Sequence, residues 1–215
     1  VSPVKESEDP DSSRAWLFSF DHACIDPRLR GAIADPEEVA ELVRVPAFGI
    51  RVFPLFVPEF CRDMIWLADL IDCFEPDPDD PYPGREFGMD QVQPLSRVLV
   101  AAFACYIKPV VSICFDSFDV DEVVDSFILR YTMDTQRDMG AHFDEQSEVS
   151  MCVALNGEFE GPGLRFPRYE FQTAGNVEVG EGLLFPGRVT HLHEVPPITS
   201  GRRYSQTWWM KGKGI

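Results

Sequence analysis

From Val123 onward, apolar and polar positions alternate in short runs: VVDSFILRYTM, EVSMCVALN, GLRFPRYEF, NVEV, GLLFPG and RRYSQTWWM. A period of two points successive side chains to opposite faces, so these runs read as strands. Gly161-Pro162-Gly163, Gly175-Asn176 and Gly180-Glu181-Gly182 supply turns between them. Upstream the pattern is helical. Between Pro58 and Phe74, the residues Phe60, Met64, Leu67, Ala68 and Ile71 fall on one stripe suited to packing on a sheet. A second, mostly buried helix is expected from about Leu95, ending or kinking at Pro109. Asp35-Pro36-Glu37-Glu38 has the form of an N-cap, a first-position proline and an acidic first turn, for a helix to about Arg44. Phe48–Phe56 alternates like a strand whose Pro54 suits an end or an edge, and Ala15–Phe20 reads as a short strand or docking segment. Helices followed by many short strands predict a mainly β fold with supporting helices, closed or double-layered.

Length and charge narrow the classes. A chain of 215 residues suffices for one domain with a sizeable core. Its net charge of −17 argues against a nucleic-acid partner, whose phosphates need a basic face. Residues 1–14, polar and with two prolines, read as a flexible acidic arm. The Pro- and Asp-rich stretch EPDPDDPYPGREFGMD reads as a solvent-facing loop. Six cysteines occur without a CxxC pair, which excludes a zinc ribbon or a thioredoxin-type motif and suggests free thiols. Neither Asn156 nor Asn176 begins a glycosylation acceptor, which tilts towards an intracellular setting, although a chain beginning at Val1 leaves the compartment open. The apolar run Val98–Phe115 has an uninterrupted core of only ten residues, Val98–Ile107, so no membrane span is expected.

Candidate chemistry concentrates between His142 and Arg203. Three of the four histidines (His142, His191, His193) lie there, with Asp144 two residues after the first. If His142 and Asp144 end a strand, both side chains face the same way and can share one metal ion. Two imidazoles and one carboxylate, with other positions open, suit a non-haem Fe(II) centre. His191 and His193 share a parity, so spacing does not choose between them as third ligand; the other would orient a neighbour. The bland alternative is three hydrogen-bonded histidines without a metal. In the last run Arg203 shares a face with Ser205, Thr207 and Trp209, and small neighbours give a guanidinium room to grip a carboxylate. Ser150, Cys152 and Ala154 similarly form a small-residue face with space for a ligand.

These residues carry a resemblance. RVFPLFVPEFC, LRYTMD, GAHFDE, VALN, FEGPGLRFPRY, FPGRVTHLHE and SGRRY occur in order and at compatible distances. From about Arg51 to Met210 the chain resembles the catalytic domain of the Fe(II)- and 2-oxoglutarate-dependent dioxygenases, close to the procollagen-lysine hydroxylases and the 2-oxoglutarate and iron-dependent oxygenase domain-containing proteins. The resemblance implies a double-stranded β-helix (jelly-roll) core over residues 51–215, preceded by an N-terminal extension over 15–50. It implies iron ligands at His142, Asp144 and His193. Arg203, ten residues after the last of these, would bind 2-oxoglutarate, with Tyr131, Cys152 and Ser205 as further co-substrate contacts and His191 orienting the ligands. Two departures stand out: Gly161-Pro162-Gly163 at a turn where the family has three small residues, and Cys152 where the family has asparagine. The implied activity is hydroxylation of an unactivated C–H bond, on a lysyl or other side chain of a protein or peptide, releasing succinate and CO2. Ascorbate would be an auxiliary reductant, and an oligomer or larger assembly stays open. Two alternatives use the same residues differently: a non-catalytic interaction subunit built on such a barrel, and a zinc hydrolase. The latter offers only Glu145 or Glu194 as base and gives Arg203 no role.

Overall fold

The computed structural model describes residues 12–76, 84–115 and 119–212. After a 3-10 turn at Ser12–Leu17 come α1 (Pro27–Ala32), α2 (Pro36–Leu42), β1 (Arg44–Ala47), β2 (Ile50–Pro54), α3 (Pro58–Ile71), β3 (Glu75–Pro76) and β4 (Arg85–Gly88). α4 (Gln93–Ala102), a π-helical stretch (Phe103–Ile107) and α5 (Lys108–Cys114) follow without a break. The β half comprises β5 (Val120–Thr132), β6 (Met139–His142), β7 (Val149–Ala154), β8 (Phe159–Glu160), β9 (Arg165–Phe166), β10 (Phe171–Gln172), β11 (Glu181–Pro186), β12 (His193–Val195) and β13 (Ser200–Gly212). Antiparallel pairing orders the large sheet β1-β2-β11-β7-β13-β5-β4-β3, and a small sheet runs β10-β9-β12-β6. Two facing antiparallel sheets with crossing connections make the jelly roll, mainly β as expected.

The two faces of the large sheet bury different things. On β13, Tyr204, Trp208 and Met210 point to the helices, where they join Phe53, Phe60, Met64, Leu99 and Ile107 in one apolar cluster. The alternate faces of β2, β5 and β11 send Ile50, Val52, Phe127, Leu129, Leu183 and Phe185 between the sheets, against Leu164, Phe166 and Val195. The helices therefore buttress one wall and leave the barrel interior to the site. Leu17, Cys24, Ile25, Leu29 and Val39 belong to the helix-side cluster, so residues 17–39 pack into the same core as the barrel.

The sequence-based expectations meet the fold unevenly. Asp35 caps α2, accepting from Glu37 N at 2.9 Å with Pro36 at the first turn, but the helix stops at Leu42 and Arg44 opens a strand. α3 buries Phe60, Met64, Leu67 and Ala68 as expected, while Ile71 is 37% exposed at the helix end. The Ala15–Phe20 segment is a 3-10 turn with Arg14 paired to Asp63 at 3.1 Å, so the described end of the expected arm is docked; residues 1–11 lie outside the described residues. The Pro- and Asp-rich stretch holds β3 and β4 at its two ends, with 77–83 outside the described residues.

The helix from Gln93 continues through Pro109 to Cys114, because the proline falls in the first turn after the π-helical stretch, where the hydrogen-bond ladder is already shifted. At 22 residues it is long and apolar enough to cross a membrane, contrary to the ten-residue expectation, yet Leu95, Val98, Leu99, Tyr106 and Val110 are packed in the core. NVEV is not a strand: Val177 N donates to Thr173 O at 2.9 Å and the segment forms turns.

One close approach is diagnostic of how β2 and β11 meet. Gly180 adopts φ +86°, and a Cβ there would lie 2.1 Å from Phe56 O. Gly180→Ala is therefore expected to destabilise by about 2–4 kcal/mol, combining left-handed strain with a clash against fixed backbone. Urea unfolding monitored by tryptophan fluorescence checks this; an unchanged midpoint contradicts it.

Candidate metal centre

β6 and β12 pair antiparallel in the small sheet with His142 opposite His193, which brings their ring centroids to 4.3 Å. Asp144 lies two residues past the end of β6, not on the strand as the parity argument assumed. Its backbone carbonyl is fixed by donation from Ser147 N (3.1 Å) and Arg188 N (2.8 Å), and this turn swings the carboxylate back. Asp144 Oδ1 stands 3.8 Å from His142 Nε2 and 3.5 Å from His193 Nε2. One donor atom from each of the three residues falls within 4.8 Å of the others.

Backbone carbonyls decide the tautomers of His142 and His193. Nδ1 of His142 lies 2.8 Å from Gly140 O, and Nδ1 of His193 lies 2.9 Å from His191 O. A carbonyl only accepts, so each Nδ1 carries the proton and each Nε2 presents its lone pair towards Asp144. Burial holds His193 below the usual imidazole range against the opposing pull of Asp144, with His142 adding to the lowering, and this favours a neutral ligand.

His191 is excluded from this group. Its Nε2 donates to Phe48 O at 3.1 Å, its Nδ1 accepts from the Thr190 hydroxyl at 2.9 Å, and its ring stacks on Tyr169 at 4.6 Å. Parity could not separate the two histidines because β12 begins only at His193. The contact of His191 with this group is its backbone carbonyl, which lies 2.9 Å from Nδ1 of His193.

Further down the cavity, Arg203 on β13 stands opposite Tyr131 on β5. It is 6% exposed, its Cζ is 5.1 Å from the Tyr131 ring centroid, and its Nη1 is buried without a hydrogen-bond partner among the described residues. A buried cation of this kind is costly unless a ligand anion completes it. Tyr131 is fully buried, and burial pushes its phenol up to about 12 despite the Arg203 charge. Ser205 lies beside Arg203 on the same face, and Cys152 on β7 faces Thr207, with Sγ 3.8 Å from Oγ1. All these residues except His191 border one cavity of about 170 Å³. Sequence reasoning placed Thr207 and Trp209 on the Arg203 face without assigning them, and missed Leu164, Val195, Gly84 and Glu86. Parity on β5 would have added Phe127 and Leu129 to Tyr131; the other four depend on which strands become neighbours.

The donor set fits Fe(II): two imidazoles and a carboxylate within reach of one ion, all three bordering the cavity. The guanidinium at its far end, with Nη1 lacking a partner among the described residues, fits the distal carboxylate of 2-oxoglutarate. Fold and site together resemble those of the Fe(II)- and 2-oxoglutarate-dependent dioxygenases.

Comparison with known proteins narrows the class. The chain is 29% identical over 186 residues to a multifunctional procollagen lysine hydroxylase and glycosyltransferase of Caenorhabditis elegans, covering 80% of this chain and 25% of that protein. It is 30% identical over 177 residues to procollagen-lysine,2-oxoglutarate 5-dioxygenase 1 of Mus musculus, covering 76% of this chain and 24% of the relative. Similarity to 2-oxoglutarate and iron-dependent oxygenase domain-containing protein 2 of Xenopus tropicalis, 26% over 228 residues, covers 100% of this chain and 58% of that one, so it extends over the first fifty residues as well. No family model matches. Among solved structures, a Trichoplax adhaerens prolyl hydroxylase in complex with a hypoxia inducible factor peptide fragment superposes with TM-score 0.62 at 13% identity, over 90% of this chain and 96% of that one. A Pseudomonas putida prolyl-4-hydroxylase gives TM-score 0.59 at 17% identity, over 85% and 99%. The chain is thus similar in sequence to procollagen-lysine hydroxylases and in fold to prolyl hydroxylases, and it spans only 25% and 24% of the two lysine hydroxylases it matches.

The half-buried Cys152 thiol offers a check on the cavity. Burial, with the Asp144 charge adding to it, pushes Cys152 up to about 12, so at pH 8 only about one thiol in 10⁴ is ionised. Iodoacetamide at pH 8 is expected to label the exposed Cys73 and Cys105 and spare Cys152 in the folded protein. Peptide mapping that finds Cys152 labelled as fast as Cys73 contradicts this environment.

Proposed function

We propose that this chain is an Fe(II)- and 2-oxoglutarate-dependent hydroxylase acting on a lysyl or other side chain of a protein or peptide. The observation that carries the reading is the convergence of His142 Nε2, Asp144 Oδ1 and His193 Nε2 at one end of a cavity whose other end holds Arg203, its buried Nη1 lacking a partner among the described residues. When bound, Fe(II) with 2-oxoglutarate and O2 supplies the oxidising chemistry, releasing succinate and CO2 and leaving a hydroxyl on the substrate. The chain's own residues hold and orient. The three ligands fix the iron, and Gly140 O and His191 O keep the imidazoles in the binding tautomer. Arg203 grips the distal carboxylate with Ser205 and Tyr131 beside it, and Cys152 and Thr207 close the wall. Phe127, Leu129, Leu164 and Val195 keep the cavity apolar and exclude water. A protein or peptide substrate is supported by the peptide complex of the Trichoplax hydroxylase and by the collagen-lysine relatives.

The test is turnover of 2-oxoglutarate with Fe(II) in the presence of a peptide library, with mass spectrometry for a gain of one oxygen. Wild type is expected to form succinate and a hydroxylated peptide. A protein that neither binds 2-oxoglutarate nor forms succinate would overturn the reading and favour a non-catalytic interaction subunit. Asp144→Ala is expected to lose metal binding. Arg203→Met should retain the metal while losing on the order of 10²-fold in apparent affinity for 2-oxoglutarate, the scale of truncating one partner of a buried charge pair. Calorimetry separates the two.

A further inference from the structure

Arg203 divides the barrel interior in two. On its metal side lies the cavity of about 170 Å³, and on its far side a second cavity of about 200 Å³, bordered by Asn156, Gly157, Phe159, Thr173 and Val179. Cys152, Arg203 and Ser205 border both, so the guanidinium and its small neighbours form the partition. The far face of Arg203 meets the Phe159 ring only loosely, with Cζ 6.0 Å from the centroid, and Nη1 is without a hydrogen-bond partner among the described residues. Ser205 is paired in register with Ala154, which keeps the surrounding wall small.

We propose that the space behind Arg203 lets the guanidinium step back by about one methylene, so that the site takes 2-oxo dicarboxylates longer than 2-oxoglutarate, 2-oxoadipate first among them. In a packed barrel the residues behind a carboxylate-binding arginine fix its distance from the metal and reject a longer chain by overpacking. Here that backing is a void, and the arginine's long, flexible stem can follow the carboxylate. The inference rests on the assignment of Arg203 as the co-substrate grip. The chemistry balances: 2-oxoadipate, O2 and R–H give glutarate, CO2 and R–OH; the C1–C2 bond breaks to release C1 with its own oxygens as CO2, one atom of O2 enters the new carboxylate of glutarate, and the other enters the substrate C–H bond as the hydroxyl.

Anaerobic thermal-shift titration of the Fe(II)-loaded protein with 2-oxoglutarate and with 2-oxoadipate tests this without turnover, and glutarate formation in air supplies a second readout. Wild type is expected to bind the two diacids with affinities within about tenfold of one another. Gly157→Leu narrows the second cavity at a position where an added Cβ meets nothing closer than Val179 Cγ2 at 3.8 Å. This variant is expected to weaken 2-oxoadipate by about tenfold or more and 2-oxoglutarate by less than about threefold. Ala174→Leu, on another wall of the same cavity, should do likewise. Wild type that binds 2-oxoglutarate but not 2-oxoadipate overturns the proposal, as do folded variants that weaken both diacids equally or neither. Failure of 2-oxoglutarate itself to bind overturns instead the functional reading beneath it.

Discussion

Strand register is the constraint on which everything else rests. One hydrogen-bonded pairing sets His142 opposite His193 across β6 and β12, and another sets Arg203 opposite Tyr131 across β13 and β5. A slip of one residue in the first would turn an imidazole out of the cavity; in the second it would exchange Arg203 for Tyr204 and bury the charge against the helices. The helix-side core resists both slips. Tyr204, Trp208 and Met210 are locked among apolar side chains on the opposite face of the strand that carries Arg203, and the Tyr204 hydroxyl donates to Asp69 at 2.8 Å. Packing on one face thus fixes chemistry on the other.

The interior is arranged so that its polar groups wait for ligands. Both Nδ1 atoms at the centre are spent on backbone carbonyls, and the two Nε2 atoms and the Asp144 carboxylate lie within 4.8 Å of one another. Arg203 shows the same economy at the far end, as a buried guanidinium with an unpartnered nitrogen. Groups left in this state destabilise the empty fold and are repaid on binding. The gap between the two ends, walled by apolar side chains and the small Cys152, Ser205 and Thr207, is where a molecule that touches both must lie.

Much of this was legible in the sequence, for physical reasons that also mark where legibility ends. Period-two alternation on RRYSQTWWM sorted Arg203, Ser205 and Thr207 from Tyr204 and Trp208 correctly, because β13 is a long strand with one face on an apolar core. The same rule brought His142 and Asp144 together for the wrong reason, since Asp144 lies in a turn, and it was silent on His191, which precedes its strand. The cap at Asp35 was readable from four residues, whereas the continuation of the long helix through Pro109 needed the π-helical stretch before it, which has no clear local signal. Glu86 and Leu164 reach the cavity only because β4 pairs with β5 and the loop before β9 crosses the barrel mouth, and such neighbours are set by tertiary pairing.

The most direct measurement is the position of the metal. Crystals loaded anaerobically with Fe(II) and measured for anomalous scattering at the iron edge should show a single ion bonded to Nε2 of His142, Nε2 of His193 and a carboxylate oxygen of Asp144, with His191 uninvolved. An ion held by His191, or no ion between the three side chains at saturating iron, would contradict the account.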